Sequence, residues 1–235
     1  MCGRFARYAP IDVAAAAKAA LSELDADFDL AAELDRLPPQ YNLAPMHRAA
    51  VMARTEEHRL AVKELRWGLI PTWAHDAKIG ASGLNARAET VDTKPMFRTA
   101  FRKRRCVVPM SGYFEWQQTE TGTKQPYFIH AADRSALLCA GIWEAWKPKE
   151  ESASDWLRTF AILTGRPGRV SGDIHDRQPV ILPPGQLAAW LDGTPEEARA
   201  ALDDLPEADL AYYPVTRAVG SARNQGPELV QPLDG

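Results

Sequence analysis

The sequence predicts an α+β fold with a curved, largely antiparallel β-sheet core flanked by helices. Short runs of β-branched and aromatic residues, separated by glycine and proline, fill the middle of the chain. Segments with helical periodicity lie toward both ends. No repeat, low-complexity linker or shift in composition marks a boundary, so we expect residues 1–235 to form a single domain.

The amino-terminal segment predicts two helices and a turn. Residues 12–24 are rich in alanine and place their larger apolar side chains on one helical stripe, with Asp12 as the expected N-cap. A second helical piece ends at Pro38-Pro39, because proline cannot continue a helix. Residues 41–45 then have the composition of a turn.

Most of the remaining elements are predicted to be short strands. Apolar β-like runs are found at 49–53, 60–65, 106–109, 113–117, 127–130, 137–143, 159–163 and 212–215. Helices are expected at 94–105, 186–191 and 195–202. An aromatic loop at 67–73, a polar surface loop at 150–155 and a loop-like tail complete the chain.

Composition places the chain among soluble globular proteins and argues against several other classes. Apolar residues make up 46 % of the chain and charged residues 25 %. No apolar run approaches the roughly 20 residues that span a bilayer, and no signal peptide is apparent, so we expect no membrane partner. The three cysteines match no zinc spacing and no disulfide framework, which indicates a reducing, cytoplasmic location without a metal or cofactor.

The charge distribution leaves two interpretations open. A net charge of −3 argues against a general nucleic-acid binder. The first half is nevertheless rich in arginine and contains the basic run at 102–105, whereas residues 196–209 are acidic. The basic residues would suit a face that contacts phosphates, and the run would equally suit a solvated helix end, where cations complement the helix dipole.

Cys2 directly follows the initiator methionine, a position that would give this cysteine unusual chemistry. Methionine aminopeptidase removes an initiator that precedes a small residue, so the mature chain would begin with Cys2. Its α-amine would condense with an aldehyde to an imine, and its thiol would close a stable five-membered thiazolidine. A terminal residue also acts as nucleophile and base together in N-terminal hydrolases. The alternative is that Cys2 is incidental.

Polar residues stand in apolar surroundings at three further places. Alternation along an extended segment puts Asn85 and Arg87 on one face, with a guanidinium fork that fits phosphate. Glu115 lies within an aromatic strand, where burial would raise its pKa toward a useful acid–base range. His175 precedes an apolar strand and would exchange protons near neutral pH. The structural alternatives are a turn asparagine, an outward-facing glutamate and a packed histidine.

Aromatic and proline residues are interleaved with the arginines. The set comprises Pro45, Trp67, Trp73, Phe97 and Trp116. Aromatic rings beside arginines suit stacking on unpaired bases with the phosphates held alongside. Packing within the core is the alternative for each of them.

Seven motifs occur in order over almost the whole chain. They are CGRF at 2–5, YNLAP at 41–45, WGLIP at 67–71, NARAET at 85–90, the stretch from Arg105-Cys106 to Glu115-Trp116, HDRQPV at 175–180 and NQGPEL at 224–229. Together they closely resemble the SRAP family, named SOS-response-associated peptidase. Members of that family sense abasic sites in single-stranded DNA.

The resemblance implies a role for each matching residue. It makes Cys2 the nucleophile that bonds to the abasic sugar and Asn85 a hydrogen-bonding partner near the crosslink. It makes Glu115 the catalytic glutamate beside the α-amine, and His175 the histidine that protonates the opening sugar ring and assists reversal. The DNA-contacting residues that it implies are Arg4, Arg87, Pro45, Trp73, Phe97 and Trp116.

The function implied is that of an abasic-site sensor. It would form a covalent thiazolidine crosslink between Cys2 and an abasic site in single-stranded DNA, protecting the lesion. The expected protein is a monomer without cofactor, associated with the nucleoid when bound to DNA. Two alternatives stay open: an N-terminal-nucleophile peptidase or amidohydrolase that uses the same residues, and a noncatalytic single-stranded nucleic-acid module.

Overall fold

Twelve strands and six α-helices are formed by the residues that the computed structural model describes, which are 2–8, 10–120, 122–148, 155–203 and 205–233. The strands are β1 (Arg4–Arg7), β2 (Gln40–Leu43), β3 (Arg48–Arg54), β4 (Leu60–Trp67), β5 (Asn85–Arg87), β6 (Arg105–Met110), β7 (Gly112–Gln118), β8 (Lys124–Ala131), β9 (Leu137–Trp146), β10 (Leu157–Gly165), β11 (Gln178–Pro179) and β12 (Leu210–Pro214). The helices are α1 (Ala15–Leu24), α2 (Leu30–Asp35), α3 (Arg98–Lys103), α4 (Arg169–Gly172), α5 (Leu187–Leu191) and α6 (Pro195–Asp203).

A five-stranded antiparallel sheet holds β1, the strand that follows Cys2, in its interior. Its strand order is β12-β8-β7-β1-β2, so β1 has a neighbour on each side. Phe5 lies opposite Tyr113 of β7 and Leu43 of β2. The residue just before this strand is therefore fixed next to the centre of the sheet.

The second sheet closes on itself into a barrel-like ring. Its strands follow the order β11-β10-β4-β3-β6-β9, and β10 also pairs with β9. β10 is parallel to β4 on one side, and β5 adds to β10 in parallel with Asn85 opposite Ile162. Closure leaves no free edge between these strands, and the added β5 brings Asn85 to the rim of the ring.

Side-chain alternation divides the core into separate clusters. The Trp190 cluster lies under the helices and includes Leu21, Phe101 and Val107. The Cys2 cluster lies between the two sheets and includes Phe5, Trp67, Tyr113 and Phe160. The Phe114 cluster covers the opposite face of the five-stranded sheet and includes Phe128 and Val215.

Gly68 is required by the close approach of two loops. It has a φ of +121°, and a Cβ at this position would lie 2.8 Å from the carbonyl oxygen of Gly80. Only glycine adopts such a conformation without strain. The turn lets Trp67 stay fully buried, where its indole N–H donates to the carbonyl of Leu84 at 2.9 Å, next to Asn85.

The predicted α+β class with largely antiparallel sheets is confirmed, and the strands predicted in the middle of the chain are present with small changes of boundary. Among the described residues, no helix is long and apolar enough to cross a bilayer. Residues 150–154 of the predicted polar loop lie outside the described part of the chain.

Three local predictions were wrong. The first helix begins at Ala15, with Ala14 at the N-cap position and no side-chain cap, so Asp12 does not cap it. Residues 40–43 form strand β2 because they pair with β1, which overrides their turn-like composition. The helix predicted at 94–105 spans only Arg98–Lys103, since Arg105 already belongs to β6.

Candidate functional site

Cys2 is buried at the junction of the two sheets. Its side chain is 0 % exposed and belongs to the core cluster named after it. The Asn85 side-chain amide donates to its carbonyl oxygen at 2.9 Å, and its thiol donates to the carbonyl of Arg4 at 3.8 Å. Hydrogen bonds therefore hold both the backbone carbonyl and the thiol of Cys2.

The surroundings keep the thiol of Cys2 protonated. Burial is the largest cause that raises its pKa well above the ordinary value, and the negative charge of Glu115 raises it further. Catalytic cysteines that attack as thiolates need the opposite shift. The thiol is thus held as a neutral S–H group close to a carboxyl group.

Asn85 offers an acceptor toward this site. It starts β5, and its amide N–H is used by Cys2. Its amide oxygen is buried and accepts no hydrogen bond from any residue that the structure describes. An unused buried acceptor costs about 1–3 kcal/mol, so this oxygen is suited to a hydroxyl or amine donor from a ligand.

Glu115 is the buried carboxyl group of the site. It lies on β7 in the interior of the five-stranded sheet and is 3 % exposed. Desolvation raises its pKa to about 7, and the negative charge of Asp176 adds to the increase. A carboxyl group that titrates near neutrality both gives and takes protons at physiological pH.

His175 completes the group from the turn that follows α4. Its Nε2 lies 4.0 Å from Oε2 of Glu115. The backbone N–H of Arg177 donates to its Nδ1 at 3.1 Å, and the Asp176 carboxylate lies 2.8 Å from the same nitrogen. The first contact needs Nδ1 as an acceptor and the second needs a proton on it, so the two contacts favour different tautomers. Burial lowers the pKa of His175, so the neutral ring is favoured.

The structure therefore brings together the four residues predicted as catalytic. Cys2 and Asn85 are hydrogen-bonded, Glu115 and His175 face each other, and the charge of Glu115 acts on the Cys2 thiol. They come from the chain start, β5, β7 and the α4 turn, which are distant in sequence. Such a group places two side chains that can exchange protons beside a thiol.

Arg4 is held by a residue whose role the sequence did not reveal. Its guanidinium donates to the amide oxygen of Asn42 at 3.3 Å and to the carbonyl of Gly220 at 3.1 Å. Asn42 is fully buried, and its amide nitrogen donates to backbone carbonyls at 3.0–3.1 Å, which are those of Val219, Ser221 and Asn224. In the sequence its only signal was its place in the motif at 41–45, whose turn-like composition gave no reason to expect burial.

The remaining residues predicted to contact DNA differ in exposure. Arg87 is exposed at the end of β5, two residues from Asn85 and on the same face. Trp73 is 49 % exposed, and Pro45 is half-buried in the turn after β2. These three side chains are at least partly exposed, and they stay predictions as DNA contacts.

Two predicted stacking residues point elsewhere. Phe97 is 6 % exposed and packs in the Trp190 cluster, so its ring has almost no surface for a base. Trp116 is half-buried against the Phe114 cluster, on the face of β7 opposite to Glu115. Trp67, which the sequence grouped with them, is fully buried.

The basic run at 102–105 is partly structural. Arg104 forms an ion pair of 2.9 Å with the buried Glu144. Arg105 is buried and donates to the backbone carbonyls of Phe101, Trp190 and Gly193. Only the first half of the run is exposed, in the last turn of α3, as expected for cations at a helix end. Within the described part of the chain, no three side chains of the metal-binding types are grouped to hold an ion.

Fold and site together define an α+β protein with a barrel-like sheet in which Cys2 is buried close to Glu115 and His175. A solved protein structure from Bacteroides thetaiotaomicron has the same fold, with a TM-score of 0.75 and 27 % identity over 97 % of this chain and 99 % of that one. The profile of the family described as SOS response associated peptidase (SRAP) matches residues 1–222. This chain therefore belongs to the SRAP family.

Two curated relatives from bacteria match over nearly their full length. The abasic site processing protein YoqW of Bacillus subtilis is 33 % identical over 98 % of this chain and 99 % of its own. The abasic site processing protein YedK of Escherichia coli is 33 % identical over 99 % of this chain and 100 % of its own.

Proposed function

We propose that this protein, after loss of Met1, captures abasic sites in single-stranded DNA as a covalent thiazolidine on Cys2. The observation that carries the proposal is the burial of Cys2 beside Asn85 and the Glu115–His175 pair. The names of the relatives, which describe abasic site processing, support the same lesion as substrate.

The chemistry uses the open-chain aldehyde of the abasic sugar. The protonated form of His175 gives a proton to the ring oxygen while the Glu115 carboxylate takes the proton of the C1′ hydroxyl, so the sugar opens to the aldehyde. The α-amine of Cys2 then adds to C1′; His175 takes one amine proton, and Glu115 returns its proton to the oxygen. Loss of one water, with His175 giving a proton to the leaving hydroxyl and Glu115 taking one from nitrogen, gives the imine. The thiol adds across the C=N bond, with sulfur on carbon and its proton on nitrogen. Amine, thiol and aldehyde thus yield thiazolidine and water.

The neutral thiol favours an order in which the amine acts first. Burial and the charge of Glu115 both disfavour a thiolate at Cys2. An α-amine titrates near 7.7–8.0 in unperturbed peptides, so a useful fraction is already neutral at pH 7. The same argument weighs against a peptidase mechanism led by the Cys2 thiolate, the main alternative that the sequence left open.

The surroundings of the site suit a flexible single strand. Arg87 is exposed beside Asn85 and offers a guanidinium to a phosphate. Trp73 presents nearly half of its surface as a stacking platform for an unpaired base. Arg4 is held in place by Asn42 and Gly220 and contributes positive charge close to Cys2.

The test is a denaturing gel and intact mass measurement after incubation with an abasic single-stranded oligonucleotide. We expect a product whose mass is that of the chain without Met1 plus the DNA, less one water. Cys2→Ala keeps a terminal amine but lacks the thiol, so it is expected to lose the heat-stable adduct. A strand without the lesion is the control.

Two results would overturn the proposal. One is an equally stable adduct on Cys2→Ala, because ring closure requires the sulfur. The other is purified protein that retains Met1 yet forms the same adduct, since the α-amine would then belong to another residue. Turnover of a generic peptide that depends on Cys2, without any adduct, would favour the peptidase alternative.

A further inference from the structure

One face of β7 contacts the segment 171–175 at three successive positions. Side chains at 113, 115 and 117 lie on the same face because they alternate along the strand. Tyr113 meets Ser171 at 2.6 Å between hydroxyl oxygens, and Gln117 donates its amide N–H to the carbonyl of Asp173 at 2.7 Å. The contact between Glu115 and His175 lies between these two hydrogen bonds along the strand.

The segment that is held in this way has little regular structure of its own. α4 is a single turn, Arg169–Gly172, and two N–H groups after it donate to the carbonyl of Ser171, those of Ile174 at 3.0 Å and His175 at 2.9 Å. A turn this short is not stable by itself. Its position relative to β7 is therefore set by side-chain contacts, and any shift of Ser171 is passed directly to His175.

The two flanking hydrogen bonds differ in environment. Tyr113 and Ser171 are both fully buried, so their bond is shielded from water. Gln117 is half-buried and its bond is close to solvent. Together they fix the segment at two points, one on each side of the Glu115–His175 contact, which leaves the imidazole little freedom to tilt away.

We propose that Tyr113 and Gln117 are positioning residues that hold His175 against Glu115 by tying the α4 turn to the same face of β7. The proposal rests on the proposed function insofar as the proton transfers of crosslinking and reversal depend on this pair. The hydrogen-bond partners of both residues, Ser171 and Asp173, belong to the segment that carries His175. Both act through His175, and small displacements of an acid–base group are costly: about 1 Å of misplacement can lower a rate 10²-fold.

The decisive test is a double-mutant cycle on crosslink reversal, the step expected to depend most on His175. Gln117→Ala is expected to slow reversal about tenfold in the otherwise native protein. In a His175→Ala background the same substitution is expected to change nothing, because the group that it positions is gone. Gln118→Ala is the matched control: its amide donates to the carbonyl of Gly122 from the opposite face of the strand, and its loss is expected to leave reversal unchanged.

The buried bond is tested by a second pair of variants. Tyr113→Phe removes one hydroxyl, and Tyr113→Phe with Ser171→Ala removes both without leaving an unpaired partner. We expect the double variant to fold and to slow reversal as Gln117→Ala does. Reversal at the native rate in this folded double variant would contradict the role of Tyr113.

A readout that needs no DNA separates this proposal from the proposed function. The chain has five histidines, so the His175 ring resonance is assigned by its absence in His175→Ala. The charged groups that act on the ring are the amino terminus of the chain, Glu115 on β7, Asp176 beside it and Lys124 on β8. In Gln117→Ala the ring is expected to gain solvent, and its pKa to rise toward the ordinary value.

These experiments distinguish a failure of the positioning role from a failure of the proposed function. An unchanged His175 titration in Gln117→Ala, or equal slowing in the presence and absence of His175, would overturn the positioning role. Native protein that forms no adduct would overturn the proposed function, and the titration would still decide whether Gln117 positions the ring.

Discussion

The most direct test of the site electrostatics is the pH dependence of stability in Glu115→Gln. Glu115 is almost completely buried, and its pKa is raised from 4.5 to about 7, mainly by desolvation. In the unfolded chain the same group ionises near its ordinary value. The glutamine variant has a similar shape but no titrating group, so the difference between the two proteins isolates this carboxyl.

The sign of the effect follows from proton binding in the two states. Below pH 4.5 both states hold the proton, and the contribution of Glu115 to stability is fully present. Between pH 4.5 and about 7 the folded protein retains a proton that the unfolded chain has lost, so stability falls as the pH rises. Above pH 7 the folded protein carries a buried carboxylate, and the loss is complete.

The magnitude is set by the size of the pKa shift. One pKa unit corresponds to 1.36 kcal/mol, so the shift predicts that wild type loses about 3 kcal/mol relative to Glu115→Gln between pH 4 and pH 8.5. For a chain of this length that equals about 6–12 °C in Tm. Chemical denaturation across the pH range measures the difference, with the exposed Glu64→Gln as control. A difference between wild type and Glu115→Gln that does not change with pH would refute the assignment of Glu115 as a buried titrating group.

Three further predictions concern other parts of the molecule. Asn85→Ala is expected to slow crosslinking about 10–100-fold, measured by gel time courses, because both the tether on the Cys2 carbonyl and the unused acceptor are lost. Arg105→Met is expected to cost about 3 kcal/mol of unfolding free energy in urea, since backbone carbonyls are left buried and unpaired, whereas the exposed Arg102→Met has little effect. Trp73→Ala is expected to weaken binding of undamaged single-stranded DNA by about 1–3 kcal/mol at fixed salt. Trp156, which is exposed beside Lys147, is the control, and an equal loss of binding free energy in Trp156→Ala would contradict a specific stacking role for Trp73.

Much of the fold could be predicted because its signals are local. The β3–β4 pair alternates in a regular register from Arg48 opposite Arg66 to Arg54 opposite Leu60, and its composition is plainly that of strands. The strands of the middle of the chain were found in the same way. Their division into two sheets has no local signal, because it depends on which edges pair across long sequence separations.

The predictions that were wrong have a common cause: the residues concerned interact with residues that are distant in sequence. Residues 40–43 include Asn42 and precede Pro45, so their composition favoured a turn, yet β1 pairs with them as a strand. The burial of Asn42 depends on carbonyls about 180 positions later in the chain. Arg105 resembles its exposed neighbours in the basic run, and only the approach of Trp190 and Gly193 buries it.

For the site, the resemblance to a family predicted which residues belong together, and the local chemistry of the sequence did not. An amide, a carboxyl group and an imidazole were each compatible with an ordinary structural role, and sequence spacing gave no reason to group them. The structure adds the two groups that compete for Nδ1 of His175, the backbone N–H of Arg177 and the carboxylate of Asp176. It also corrects the expected surface, since the ring of Phe97 is buried.

The position of Cys2 has a consequence for the order of events during synthesis. Its partner Asn85 lies 83 positions later, and the strand that carries Glu115 follows further on. At about 5–20 residues per second, a ribosome needs about 4–17 s to add the intervening stretch. Throughout that interval neither Asn85 nor Glu115 is present to bury Cys2. The removal of Met1 that the proposed function requires therefore has this interval in which to take place, before folding closes over Cys2.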